Sequence, residues 1–178
     1  MSELIAAAET SAGAFYGLFP SKDALVQALI EEAIDPVADA IDELASNEEN
    51  PVTTLGLGLR TALAVAMRNT DWGHFVGQST MLNYAFENGF RPRVTRDIRR
   101  AQREGRLPAR DELVSVALML GAFQAGVTLA NQGFLTDRIV RELTERTLVA
   151  VGASAEVAAA VANRPLPPII VRSEIDLN

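Results

Sequence analysis

The chain has 178 residues, 48% of them hydrophobic, enough for one medium domain or a small head on a larger body with a sizeable core. It contains no cysteine, which excludes disulfide frameworks, thiolate zinc sites and cysteine nucleophiles. The formal net charge of −7 repels nucleic acid on average, so any such contact must come from a local patch.

Nearly every segment reads as helix. Ser2 to Glu9 is a short Ala-rich helix with Leu4, Ile5 and Ala8 on one side. Thr10 and Ser11 break it, and the Ser11 hydroxyl can cap a second short helix, Ala12 to Leu18. Pro20-Ser21 breaks the chain again, and Ser21 caps a longer helix with Leu25, Ala28, Leu29 and Ala33 at helical spacing. Pro36 should kink or interrupt it, because the ring removes an amide donor and crowds the preceding turn. The pattern resumes through Val37, Ile41 and Leu44.

After a polar linker, Asn50-Pro51 starts a helix that runs to about Arg68. Asp71 can cap another through about Tyr84. An Arg-rich helix spans Pro92 to Glu104 and ends at Gly105. A long apolar helix covers Asp111 to Asn131, Thr136 caps one through Ala150, and Ser154 caps a short one to Asn163. The proline-rich tail from Arg164 is extended, and only Ile169 to Val171 has any strand character. The fold class is all-α: a small helix-turn-helix head and a larger helical body, divided as 1–45 and 46–178.

Leu113 to Gln132 carries no charge and is about long enough to span a bilayer. Its Ser115, Gly121, Gln124, Gly126, Thr128 and Asn131 favour a helix buried on two sides inside a protein, so no membrane partner is expected. No basic run followed by an apolar stretch opens the sequence, so a secretory signal is not expected and a cytoplasmic location fits.

The run from Leu4 to Tyr16 has helix-turn-helix spacing. It continues through Gly17 to Leu25 with Ser11, Gly13, Tyr16, Phe19, Lys22 and Leu25 in the register Ser-x-Gly-x-x-Tyr-x-x-Phe-x-x-Lys-x-x-Leu. This run resembles the signature of the TetR/AcrR family of transcriptional regulators. The resemblance implies that the short helix enters the major groove, with Ser11, Ala12, Gly13, Ala14, Tyr16, Gly17 and Lys22 against the DNA. The physical reading agrees. Phe15 and Phe19, one turn apart, plug the helix into the core of the head. The Tyr16 hydroxyl projects from the other side towards a phosphate, and Lys22 stands at the start of the next helix, where charge and amides can both meet a phosphate.

The chain departs from the family pattern in places. Glu9 and Thr10 stand in the turn where a glycine and an apolar residue are usual, and the short helix has no Arg or Lys. The family's basic first helix should precede Met1; roughly two dozen residues of the pattern, a helix of ordinary length with its turn and leader, are absent. The expectation is either a misplaced start or a shortened chain. A shortened chain would bind DNA poorly and could be a dimeric ligand-binding remnant, which is the alternative function.

From Val52 onward the resemblance is to the family's effector-binding and dimerisation region, and it implies a homodimer, an operator in double-stranded DNA and a small, largely apolar effector. Candidate effector-lining residues are large or polar groups on apolar helices: Trp72, His74, Phe75, Gln78, Met81 and Tyr84 on one, Met119, Phe123, Gln124 and Thr128 on another. His74 is the only histidine; Asp71 beside it does not complete a metal site, and no motif supplies it with a nucleophile or acid partner, so no cofactor or enzyme activity is expected. The arginines from Arg91 to Arg110 alternate with Asp97 and Glu104 and read as a solvated, ion-paired helix. The dimer is expected to form through the helices at Asp111–Asn131 and Thr136–Ala150.

Overall fold

A computed structural model of the chain describes residues 11–46, 48–77 and 89–167. Among these residues the regular structure is all helical, in keeping with the all-α expectation. The elements are α1 (Ala12–Leu18), α2 (Lys22–Ala33), α3 (Asp35–Ser46), α4 (Pro51–Arg68), α5 (Thr70–Gly77), α6 (Arg91–Arg103), α7 (Glu112–Asn131), α8 (Asp137–Val151) and α9 (Ala155–Asn163). The expected helix over Ser2–Glu9 and the segment Ile169–Val171 lie outside the described residues.

Most boundaries follow from capping chemistry. Side-chain oxygens of Ser11, Ser21, Asn50, Asp111, Thr136 and Ser154 each accept from an amide in the first turn of the helix that follows, at 3.0–3.3 Å. Such caps are each worth ~1 kcal/mol. Gly133 and Gly152, at φ +75° and +110°, take the left-handed conformation that turns the chain out of α7 and α8.

Two boundaries differ from the sequence reading. The break near Pro36 falls earlier, at Ile34, and Pro36 sits in the first turn of α3, where a missing amide costs nothing. Asn69, not Asp71, caps α5: its Oδ1 accepts from the Trp72 amide at 2.7 Å. The Asn69 amide also donates to the Val65 carbonyl, so one residue closes α4 and opens α5.

The body is organised around α4, which packs against α3, α5, α6, α7, α8 and α9. Fifteen of its eighteen residues are buried. Neighbours reach it closely through glycine. A Cβ at Gly126 of α7 would overlap the Leu63 side chain, and one at Gly56 of α4 would overlap Val161 of α9. The buried Arg60 joins the same seam, its Nη1 donating to the carbonyls of Val161 (3.0 Å) and Arg164 (2.6 Å) at the end of α9. Burial, then repulsion from Arg141, pushes its pKa below the ordinary guanidinium value.

α7 was expected to be buried on two sides. Within one chain it is buried on one. Ser115, Val116, Met119, Leu120, Ala122, Phe123, Gly126 and Val127 face the core. Leu113, Val114 and Leu118 on the other face are exposed, as are Phe134 and Val149 nearby. By length and composition alone this helix could cross a membrane. The buried Trp72 fastens α5 to the end of α2, its Nε1 donating to the Ala33 carbonyl at 2.6 Å.

Gly126→Val should overpack the α4–α7 seam and cost ~1–3 kcal/mol. The expected readout is a lower urea midpoint at unchanged slope. An unchanged midpoint would show that α7 is not seated on Leu63 in this way. Trp72→Phe keeps an aromatic ring but removes the donor to the Ala33 carbonyl and leaves a small void, for a loss of ~1–3 kcal/mol in the same assay.

Candidate functional site

Two regions carry the polar and geometric features of a functional site. The first is α1 with the turn into α2. Phe15 is buried and anchors α1, meeting Phe19 at 5.6 Å and the edge of Tyr16 at 6.0 Å between ring centroids. Tyr16 itself is half exposed, and Ser11, Gly13, Ala14 and Gly17 share the open side. A Cβ at Gly13 or Gly17 would meet nothing within 4 Å. Each glycine inside a helix costs ~1 kcal/mol relative to alanine. Nothing in the described chain requires these two to lack a side chain.

The second region is a cavity of about 50 Å³ between α3, α4, α6 and α7. Its walls are mainly apolar: Leu55, Leu59 and Ala62 of α4, Phe90 and Val94 at α6, and Met119, Leu120 and Phe123 of α7. The rings of Phe90 and Phe123 lie 5.1 Å apart at 56°. Three polar groups interrupt the apolar lining, namely Thr54, Arg93 and Asp97. The Thr54 hydroxyl is buried with no hydrogen-bond partner among the described residues, an expensive arrangement unless something enters to satisfy it.

Arg93 and Asp97 belong to an alternating chain of charges that joins α6 to α3. Arg93 Nη2 donates to Asp39 at 2.7 Å and its Nε to Asp42 Oδ2 at 2.6 Å. Arg96 Nη2 donates to Asp42 Oδ1 at 2.7 Å and its Nε to Asp97 Oδ1 at 2.9 Å. The bond to Asp97 above all, and that to Asp42, hold the Arg96 guanidinium above its ordinary pKa against the opposing effect of burial. Asp35, at the start of α3, has its pKa raised, chiefly by burial, while Arg93 pulls it down. Lower on α6, Arg100 Nη2 donates to the Glu49 carbonyl at 2.8 Å. Arg164, beyond α9, pairs with Glu48 at 2.6 Å, so the α3–α4 linker is pinned from two directions.

Of the ten effector-lining candidates read from the sequence, Met119 and Phe123 line this cavity. Trp72 is the bolt to Ala33, and Phe75 is half-buried against the core. His74, Gln124 and Thr128 are exposed on a single chain. Gln78, Met81 and Tyr84 lie outside the described residues. Sequence reasoning missed Thr54, Arg93 and Asp97. Arg93 and Asp97 were read as part of a solvated, ion-paired helix, and the pairing is real. A signal was present, since Asp97 falls in register with Phe90, Val94 and Ala101 on the apolar side of α6.

Comparisons with known proteins cover both parts of the chain. Residues 50–164 match the family model described as the tetracyclin repressor-like C-terminal domain, and residues 1–29 match that of the bacterial regulatory proteins of the tetR family. No curated protein matches the chain significantly. Among solved structures, RolR in complex with the ligand resorcinol is 26% identical with a TM-score of 0.78, over 95% of this chain and 85% of RolR. RolR without ligand is 24% identical with a TM-score of 0.74, over 95% of this chain and 88% of RolR. The chain belongs to the TetR family of bacterial transcriptional regulators, and residues 11–25 lie in its DNA-binding helix-turn-helix segment.

Proposed function

We propose that the protein is a homodimeric, cytoplasmic repressor released from its operator by a small, largely apolar effector. Residues 1–45 form the DNA-binding head and connecting helix, and residues 46–178 the effector-binding and dimerisation domain. Ser11, Ala12, Gly13, Ala14, Tyr16, Gly17 and Lys22 meet the operator. The exposed face of α1 and the two glycines with no packing role support this, because close approach to a sugar-phosphate backbone is what a missing side chain permits.

The observation that carries the regulatory reading is the double use of α6. One helix supplies Phe90, Arg93, Val94 and Asp97 to the cavity and, through Arg93 and Arg96, holds Asp39 and Asp42 of α3. α3 continues from the head, so a ligand that moves α6 also moves the head. Apolar walls with Thr54, Arg93 and Asp97 suit an aromatic ring bearing hydroxyl groups. RolR, with its bound resorcinol, supports that chemistry. No catalytic step is assigned.

The exposed apolar face of α7, continued by Phe134 and Val149, is the dimer surface. A second copy would cover Leu113, Val114 and Leu118, and Gly121 and Ala125 on the same face let the helices approach closely.

Fluorescence anisotropy on DNA flanking the gene should show binding that resorcinol weakens, and Tyr16→Ala or Lys22→Ala should each reduce affinity about tenfold. Binding unaffected by either substitution would remove α1 from the contact surface. Effector binding without DNA binding would favour the ligand-binding remnant. Leu118→Asp should convert a dimer into a monomer in sedimentation velocity, and a monomer already present in the unaltered protein at micromolar concentration would rule out this interface.

A further inference from the structure

We propose that the charge chain Asp39–Arg93–Asp42–Arg96–Asp97 selects the effector by its charge, admitting a neutral hydroxylated ring and rejecting the same ring with a carboxylate. The inference rests on the cavity being the effector site, and it assigns the selectivity to two residues of α3, Asp42 and Asp39, neither of which lines the cavity.

The chain contains two arginines and three aspartates, and 2 − 3 leaves a net charge of −1. Its cations are consumed internally. Arg93 spends Nε on Asp42 and Nη2 on Asp39, and its Nη1 donates to the Gly89 carbonyl at 2.7 Å. Arg96 divides itself between Asp42 and Asp97. Without the aspartates of α3, a guanidinium on the cavity wall would be a ready partner for an aromatic acid. With them in place, an entering carboxylate meets the Asp97 carboxylate and, among the described lining residues, only a guanidinium already paired with two carboxylates. Beside a largely apolar wall that encounter is repulsive.

A neutral hydroxyl meets the opposite situation. It can donate to Asp97, which is itself mostly buried. It can also satisfy the Thr54 hydroxyl, which is 4% exposed, lines the cavity and has no partner among the described residues. Of the two α3 carboxylates, Asp42 is the more enclosed, at 32% side-chain exposure against 71% for Asp39, and it bridges both arginines. It therefore carries more of the neutralisation.

Isothermal titration of the full chain with three probes tests this. Resorcinol is the neutral diol, 3-hydroxybenzoate carries the charge, and 3-hydroxybenzamide has nearly the shape of the benzoate without the charge. The unaltered protein should bind resorcinol and the benzamide, and the benzoate about a hundredfold more weakly. Asp39→Asn/Asp42→Asn turns the net charge of the chain from −1 to +1 and should narrow that gap at least about tenfold, with Asp42→Asn alone giving most of the change. Benzoate binding as tightly as benzamide to the unaltered protein would overturn the proposal, as would an unchanged gap in a double variant that melts cooperatively. If resorcinol binds while benzamide and benzoate are both refused, size and not charge selects, and the inference fails with the effector site intact. If none of the three binds, the cavity is not the effector site and both readings fall. The comparison of benzamide with benzoate needs no variant, so it decides the matter even if the double substitution does not fold.

Discussion

Every helix of the body has to fit around α4. An α-helix buried on most of its circumference cannot place its side chains independently on each face, so every neighbour must accommodate the same rigid rod. Gly126 lets α7 close on Leu63, and Gly56 lets Val161 of α9 close on α4 itself. Large side chains such as Leu63 and Leu148 are fully buried along this axis, and each contributes ~1.5–3 kcal/mol of hydrophobic stabilisation. The same enclosure makes the polar groups of α4 conspicuous. Arg60 answers its burial in part by holding the carbonyls at the end of α9 through Nη1, while the hydroxyls of Thr54 and Thr61 have no partner among the described residues. Thr54 is the one of these two that borders a cavity.

α6 connects that core to α3. Its pairs with α3 are partly exposed, and isolated pairs of that kind contribute only ~0.2–1 kcal/mol each. Their arrangement matters more than their strength. Asp42 bridges two arginines, so α3 is held at one point by two bonds that a local change at Arg93 or Arg96 would disturb together. The far end of α3 is tied differently, through Glu48 to Arg164 and Glu49 to Arg100. α3 is thus pinned at its linker and held along its length by a few solvent-accessible ion pairs.

The head sits at the opposite extreme of packing. α1 is seven residues long, buries Phe15 and exposes Tyr16 and Leu18. With two interior glycines it is poorly stabilised by itself. Under the proposed function such weakness is tolerated, because a nucleic-acid partner would complete the geometry of α1.

Much of this was legible in the residues alone. Helix existence, order and most ends depend on caps, prolines and glycines acting within one turn, and the signature of the head lies within fifteen consecutive residues from Ser11 to Leu25. Such short-range chemistry is written where it acts. What only the tertiary structure decided depends on residues far apart in sequence. Asp42 meets Arg93 and Arg96 across some fifty positions, and Trp72 reaches back to Ala33. That separation is why the arginines of α6 read as a solvated face when they also border a cavity, and why Trp72 read as a candidate ligand contact when its indole holds α2. The long apolar helix shows the same limit. Composition established that α7 must be largely covered, but only its seating on Leu63 shows which half is covered by its own chain and which half is left open.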